Sequence, residues 1–432
     1  MTSTRTTMIE AVLGILFVIG YACISFEHPL KINKTASAVL LGVLMWTIYI
    51  LSADSDSGVI AGELSHHLGA IAEILFFLMG AMTIVELIDT HKGFRILTNA
   101  INTGSKVKLL WIICGLTFFL SAILDNLTTA IVMVSLLKKL VDDRNERLVM
   151  ASMVIIAANA GGAWSPIGDV TTTMLWIGNR ITAFNIITEL FLPSLVSLLI
   201  PLLYQSWFLQ GTVGRADTQD RHLPASEPFS NAIFFLGIGA LVSVPVFKAV
   251  THLPPYMGML FGLGILWIIT ELLHAGTEER KHLRVANVLS KIDLTSILFF
   301  LGILLAVATL DSVGLLNATA AWLDTAIGNK DVIVTILGLL SSVIDNVPMV
   351  AAAMGMYSLS DFPTDHKIWE MIAFCTGTGG SILIIGSAAG VVVMGMERID
   401  FIWYLKNISV TALLGYFAGV FTYLLIYTLF HF

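Results

Sequence analysis

The sequence predicts an all-α polytopic membrane protein, and three observations carry that prediction. Of 432 residues, 56% are hydrophobic and 12% charged, about half the charged share of a soluble domain. The apolar residues come in runs near the roughly 20 that a helix needs to cross a bilayer. The same succession of motifs also occurs twice along the chain. With 23 Lys and Arg against 30 Asp and Glu, the formal net charge is −7. Together, the hydrophobic excess, the scarcity of charge and the acidic balance exclude a soluble enzyme, a disordered segment and a nucleic-acid binder. A membrane barrel would show short alternating segments instead.

Taken in order, the runs at 8–26, 36–52, 71–88, 148–178, 188–208, 229–247, 256–273, 293–310, 369–396 and 404–430 read as membrane helices. No clear cleavage site follows the first, which reads as a retained helix and not a removed signal peptide. Cys23, Cys114 and Cys375 lie inside apolar runs without a CxxC motif, so they read as small buried hydrophobes. Basic residues favour the cytoplasmic side. Loops 27–35, 89–108, 138–147, 209–228, 275–292 and 397–406 hold 18 of the 23 Lys and Arg and are assigned inside. The stretch 53–70 holds Asp54, Asp56 and Glu63 but no basic residue, and reads as an external loop carrying a solvated His66-His67 pair.

The segment 109–141 starts after Lys106 and Lys108 and ends at Lys138 and Lys139, so both ends sit inside. It is too short for two full spans, and its middle is polar around Asp125, Asn126, Thr128 and Thr129. It reads as a re-entrant hairpin turning at Asp125-Asn126. Irregular backbone at that depth needs protein or a water cavity around it. The motifs then recur. Ile74–Leu78 matches Ile297–Leu301, Asp125-Asn126 matches Asp345-Asn346, and Gly161-Gly162 with Gly168 matches Gly379-Gly380 with Gly386. Five crossings separate the copies, so the second is inverted. Its hairpin, 331–359, enters from outside and turns at Asp345-Asn346 before Pro348.

Inverted repeats with broken helices are the mark of a secondary transporter. Four breaks are expected to meet near the membrane midplane: the two hairpin tips and two interrupted spans. Glycine pairs and Pro166 unwind those spans around Asn159, Ser165, Asp169, Thr171 and Thr172, and around Thr378, Ser381 and Ser387. Ser342 flanks the second tip. These side chains, with freed carbonyls, offer hard oxygen ligands for a small cation. Exposed helix N-termini would suit an anion instead. The charges decide. Asp125, Asp169 and Asp345 occupy three of the four breaks, and no Lys or Arg lies in any of them. An ionisable group inside a membrane is functional by default. Three carboxylates predict Na⁺ or Li⁺ competing with H⁺, with Asp125, Asn126, Asp169, Asp345 and Asn346 as the Na⁺ ligands. Glu86 and Asp311 are candidate proton relays. No cofactor is expected.

The phrases Ile123–Thr129, Gly161–Thr172 and Ile344–Pro348 resemble those of the NhaD-type sodium/proton antiporters, which share a superfamily with dicarboxylate/sodium symporters. The similarity covers nearly the whole chain. Where the dicarboxylate relatives carry serine at the tips, this sequence has Asp125 and Asp345. The resemblance implies exchange of cytoplasmic Na⁺ for external H⁺, a homodimer in membrane lipid, and a transport domain moving like an elevator in a scaffold. It implies scaffold helices over 1–70 and 229–292, while the repeated motifs themselves set repeats over 71–208 and 293–432 with a linker at 209–228. Gly93–Ser105 and Gly314–Gly328 look like interfacial helices. A bacterial inner membrane is the expected location. A Na⁺-coupled carboxylate symporter is the alternative. A passive channel and an intramembrane aspartyl protease are lesser rivals, and the protease's sequence contexts around Asp125 and Asp169 fail.

The topology has a direct check. A cysteine introduced between Lys138 and Arg147 is expected to react with an impermeant thiol reagent from the cytoplasm only. Labelling from outside would overturn the inverted arrangement.

Overall fold

A computed structural model describes residues 2–25, 31–52, 56–96, 101, 103–209, 211–212, 227–275 and 278–430. Among them there are helices and no strand, with one isolated bridge between Ser105 and Thr212. Eight helices among the described residues are long and apolar enough to cross a membrane. The expected linker at 209–228 lies mostly outside the described residues, as do 97–100 and 102 of the expected interfacial segment.

Three helices open the chain: α1 (Thr2–Ser25), α2 (Lys34–Ser52) and α3 (Ser57–Thr90). The last is helical from Ser57 onward, where a loop is expected over 53–70, and 53–55 lie outside the described residues. Its 34 residues run without a break, about 50 Å at 1.5 Å per residue. No proline interrupts 57–90, so the charged first turns extend a span already helical further on. A domain boundary at residue 70 would fall inside this helix. The histidine pair is helical too, and His67 Nε2 lies 3.1 Å from Ser312 Oγ instead of in solvent.

The next four helices form a broken set. A hairpin of α4 (Lys106–Leu124) and α5 (Asn126–Leu140) precedes α6 (Arg144–Gly162), a non-helical break, and α7 (Val170–Ile177). Three long helices follow: α8 (Ala183–Phe208), α9 (Ser230–Thr251) and α10 (Pro255–Leu273). After a 3₁₀ turn and the short α11 (Val285–Val288) comes α12 (Leu294–Ser312). α13 (Leu315–Ala326) fills the expected segment 314–328 between two glycines of positive φ. A second broken set then appears: α14 (Lys330–Leu340), α15 (Asn346–Met356), α16 (Lys367–Gly379) and α17 (Ala388–Glu397). The chain closes with α18 (Phe401–Asn407) and α19 (Ser409–Phe430), which divide the run expected at 404–430.

The long helices pair in definite directions. Thr35 Oγ1 donates to Thr295 O and Trp46 Nε1 to Leu305 O, so α2 and α12 run parallel. Lys291 lies 4.0 Å from Glu86 while His67 meets Ser312, so α3 and α12 run antiparallel. α8 and α19 are also antiparallel, for Gln205 reaches Asn407 while Gly419 packs on Pro193.

The two hairpins open toward opposite ends. Lys106 bridges Glu146, and Arg147 donates to Val141 O, so both ends of α4–α5 lie where α6 begins. Lys367 bridges Asp331, and Lys330 sits over the Tyr357 ring, so both ends of α14–α15 lie where α16 begins. Lys138 meets Met396 at the end of α17, whereas Met354 meets Arg180 just past α7.

Equivalent contacts recur in the two sets. Ser121 Oγ donates to Ala158 O at 2.5 Å, and Ser341 Oγ to Thr376 O at 2.9 Å. A Cβ on Gly161 would collide with the Phe118 carbonyl, and one on Gly379 with the Gly338 carbonyl. Glycine lets each hairpin press its backbone onto the broken helix.

Gly161→Ala and Gly379→Ala are therefore expected to destabilise the purified protein by about 1–3 kcal/mol. Gly395→Ala meets open space and is expected to be neutral or stabilising by up to about 1 kcal/mol. Thermal melts in detergent would show the contrast.

Candidate functional site

Four short helices begin at one place. α5 starts after Asp125, α7 after Asp169, α15 after Asp345 and α17 after Ser387, and each of these residues caps its helix with a side-chain oxygen. Asp125 Oδ1 accepts from Thr128 N and Oδ2 from Thr128 Oγ1, both at 2.8 Å. Asp169 Oδ1 accepts from Thr171 N at 2.9 Å, and Asp345 Oδ1 from Val347 N at 3.4 Å. Ser387 Oγ accepts from Gly390 N at 3.2 Å. A helix N-terminus carries unpaired N–H groups and about half a positive charge. Buried without anions, four such ends would repel one another. Three carboxylates and a hydroxyl answer that demand.

Asp169, 1% exposed, is the knot. Asn126 Nδ2, from the first tip, donates to its Oδ2 at 2.6 Å. Asn346 Nδ2, from the second tip, lies 3.3 and 3.4 Å from its two oxygens. Asn126 Nδ2 also reaches Asn159 Oδ1 at 3.0 Å. Asn159 Nδ2 in turn donates to Ser381 Oγ and Ser387 Oγ, each at 2.9 Å. One polar network thus joins both hairpins and both broken helices.

Asp125 is held at the tip in a strained conformation, with φ of 87°. Its ψ of 158° takes it outside the left-handed helical region that Asp and Asn tolerate, into one kept almost entirely for glycine. Strain of this kind costs roughly 1–3 kcal/mol and persists where surroundings enforce it.

The structure brings together Asn126, Asn159, Asp169, Asn346, Ser381 and Ser387, with Asp125, Thr128, Thr171 and Asp345 adjoining. Four other predicted ligands donate to nearby carbonyls. Ser165 Oγ donates to Ala122 O, Ser342 Oγ to Leu339 O, Thr378 Oγ1 to Phe374 O and Thr172 Oγ1 to Asp169 O. Those hydroxyl protons are used in holding the breaks. The Thr129 hydroxyl, one turn into α5, is buried without a hydrogen-bond partner among the described residues.

The predicted relays lie apart from the knot. Glu86 accepts from Thr90 Oγ1 near the end of α3 and faces Lys291. Asp311, at the end of α12, packs against Gly355 of α15 and is within electrostatic reach of His67 and Arg180.

Sequence reasoning missed what holds the far ends of the four short helices. Arg147 Nη1 donates to Val141 O behind α5, and Lys138 Nζ to Met396 O in α17. Arg180 donates to Gly178 O behind α7 and to Met354 O in α15, stacked 4.9 Å over Trp369. Lys248 adds a bond to Trp176 O. Cations therefore stand at the negative ends of helices whose positive ends meet at the knot. The buried Glu397, paired with Arg147 and 3.8 Å from Lys138, completes that corner. An acid at the end of an apolar run was its signal. Outside the spans, the hydrogen bond from Lys92 holds the Glu227 carboxyl below the usual carboxylate range.

Residues 21–372 match the family model described as citrate transporter. The chain is 50% identical to sodium/proton antiporter 1 of Arabidopsis thaliana over 97% of its own length and 73% of that protein. It is 31% identical to the Na⁺/H⁺ antiporter NhaD of Vibrio cholerae over 98% of itself and 93% of that protein. The chain belongs to the NhaD-type sodium/proton antiporter family. This is a family of transporters, and this member is a multi-pass membrane protein. Its identity to the plant antiporter, 50%, exceeds that to the Vibrio NhaD, 31%.

Arg180→Gln keeps much of the stem and removes the charge from two helix ends. It is expected to cost about 1–2 kcal/mol, read as a lower thermal midpoint in detergent. An unchanged midpoint would contradict this account of the helix ends.

Proposed function

We propose that the protein exchanges cytoplasmic Na⁺ or Li⁺ for external H⁺. The observation that carries this reading is the Asp169 carboxylate, bonded by asparagines from both hairpin tips and flanked by Asp125 and Asp345. Na⁺ prefers hard oxygen ligands. The three aspartates, the serine and threonine hydroxyls and the carbonyls freed at the breaks supply them. A carboxylate oxygen that binds a proton no longer serves a cation well. Competition for the same oxygens couples the two ions, provided that the loaded site faces one side at a time.

The family's shared description as citrate transporter raises the rival reading, Na⁺-coupled uptake of a carboxylate. Four converging helix N-termini would suit such an anion. Here, though, aspartates cap three of them. A carboxylate substrate would meet like charge, whereas a cation would meet opposite charge.

The reading extends to movement. Antiparallel α3 and α12, antiparallel α8 and α19, and hairpins opening to opposite ends all support two inverted repeats. In this reading α1–α3, α9, α10 and α12 are the scaffold, and the four short helices with α4, α6, α8, α14, α16 and α19 travel as the transport domain. A homodimer in lipid completes the arrangement. The membrane is one that holds a proton gradient, of which the expected bacterial inner membrane is an instance.

Added Na⁺ or Li⁺ is expected to dissipate a pH gradient in everted vesicles. Asp125→Asn, Asp169→Asn and Asp345→Asn should each reduce that exchange by 100-fold or more, roughly what displacing a buried charged ligand costs. Full exchange by all three variants would overturn the site. Na⁺-driven citrate or succinate uptake without proton movement would favour the rival.

A further inference from the structure

The backbone N–H of Asp345, at the second hairpin tip, donates to Tyr21 Oη at 2.7 Å. Tyr21 lies on α1 and is 9% exposed. α1 packs along α2, with Gly20 against Leu41, and reaches α13 through Gly14 and Leu315. It contributes nothing to the broken helices. Among the described residues, Tyr21 alone makes a hydrogen bond from outside the two hairpins and two broken helices to any of Asp125, Asn126, Asp169, Asp345 or Asn346. The tip needs such a partner, because a buried N–H left unpaired is costly.

We propose that Tyr21 is a positioning residue for ion exchange, fixing the tip that carries Asp345 against α1 in one of the two access states. The inference rests on the exchange reading above. If the knot-bearing helices shift against α1, a 2.7 Å bond between them cannot survive. It is therefore made in one state and broken in the other. A contact with that property biases the equilibrium between states by its own strength. Tyr21 lies one turn before the end of α1, and Lys34, which follows in the chain, is within electrostatic reach of Asp345. By the charge-derived topology this is the cytoplasmic end. The bond thus favours the state in which the site lies low, toward the cytoplasm.

The sign of the effect follows. Losing the bond depopulates the cytoplasm-facing state. The apparent affinity for an ion scales with the fraction of protein in the competent state. The ratio of the cytoplasmic KM for Na⁺ to the external KM must then rise, whichever state is the more populated. One net hydrogen bond corresponds to a factor of about five.

The test measures KM for Na⁺ in everted and right-side-out vesicles carrying wild type, Tyr21→Phe or Tyr21→Leu. Tyr21→Phe removes one oxygen and keeps the ring beside Phe17. Both variants are expected to raise the cytoplasmic-to-external KM ratio about five-fold. Simple structural damage would lower maximal rates in both orientations and leave the ratio alone. Wild-type exchange with an unchanged ratio in Tyr21→Phe overturns the proposal by itself. Absence of Na⁺-driven proton movement in wild type overturns the exchange reading and this inference with it.

Discussion

Much of this molecule depends on one carboxylate accepting from two asparagines. Asn126 and Asn346 come from hairpins that open toward opposite ends, and both donate to Asp169. The reason lies in helix electrostatics. Splitting a membrane helix in its middle creates a new N-terminus with unpaired N–H groups in a medium that cannot hydrate them. Doing so at four places, and bringing the places together, gathers positive potential at one point. Aspartate caps cancel it and satisfy the first N–H groups. Arg147, Lys138, Arg180 and Lys248 do the complementary work at the outer ends. The arrangement that makes broken helices tolerable also assembles carboxylates where a cation can use them.

Packing divides the polar bonds into two groups. Hydrogen bonds along α2 and α12 hold those helices in register, and the Asp169 network holds the four short helices as a unit. Among the described residues the polar contacts between the two groups are sparse. Tyr21 meets the tip at Asp345, and Lys248 of α9 meets the end of α7. Few polar bonds across such a boundary lower the cost of moving one group against the other. Under the proposed alternation of access, each bond that is present would weigh on the balance between states.

The breaks themselves were legible in the sequence. Asp125-Asn126, Asp345-Asn346 and the glycine pairs end helices where the repeat placed them, because polar and helix-breaking residues inside an apolar run have few other uses. The continuous α3 was not legible, since acids and histidines before residue 70 look like a loop whether or not the helix extends past the membrane. Neither was the fate of individual oxygens. The sequence does not show that the hydroxyls of Ser165, Ser342, Thr172 and Thr378 each donate to a nearby carbonyl. Local bonding of this kind is the usual resort of a hydroxyl among helices. Tyr21 carried no signal at all, for a tyrosine in an apolar helix gives no hint of the backbone N–H that waits across an interface.

The central claim is that sodium and protons use the same carboxylates. The most direct measurement is proton release when Na⁺ is added to purified protein in weakly buffered detergent solution, followed across pH. Competition predicts that Na⁺ binding releases protons. It also predicts that apparent Na⁺ affinity weakens as pH falls, by up to about tenfold per unit for each proton displaced. Na⁺ binding with no proton release, at an affinity independent of pH, would contradict the account.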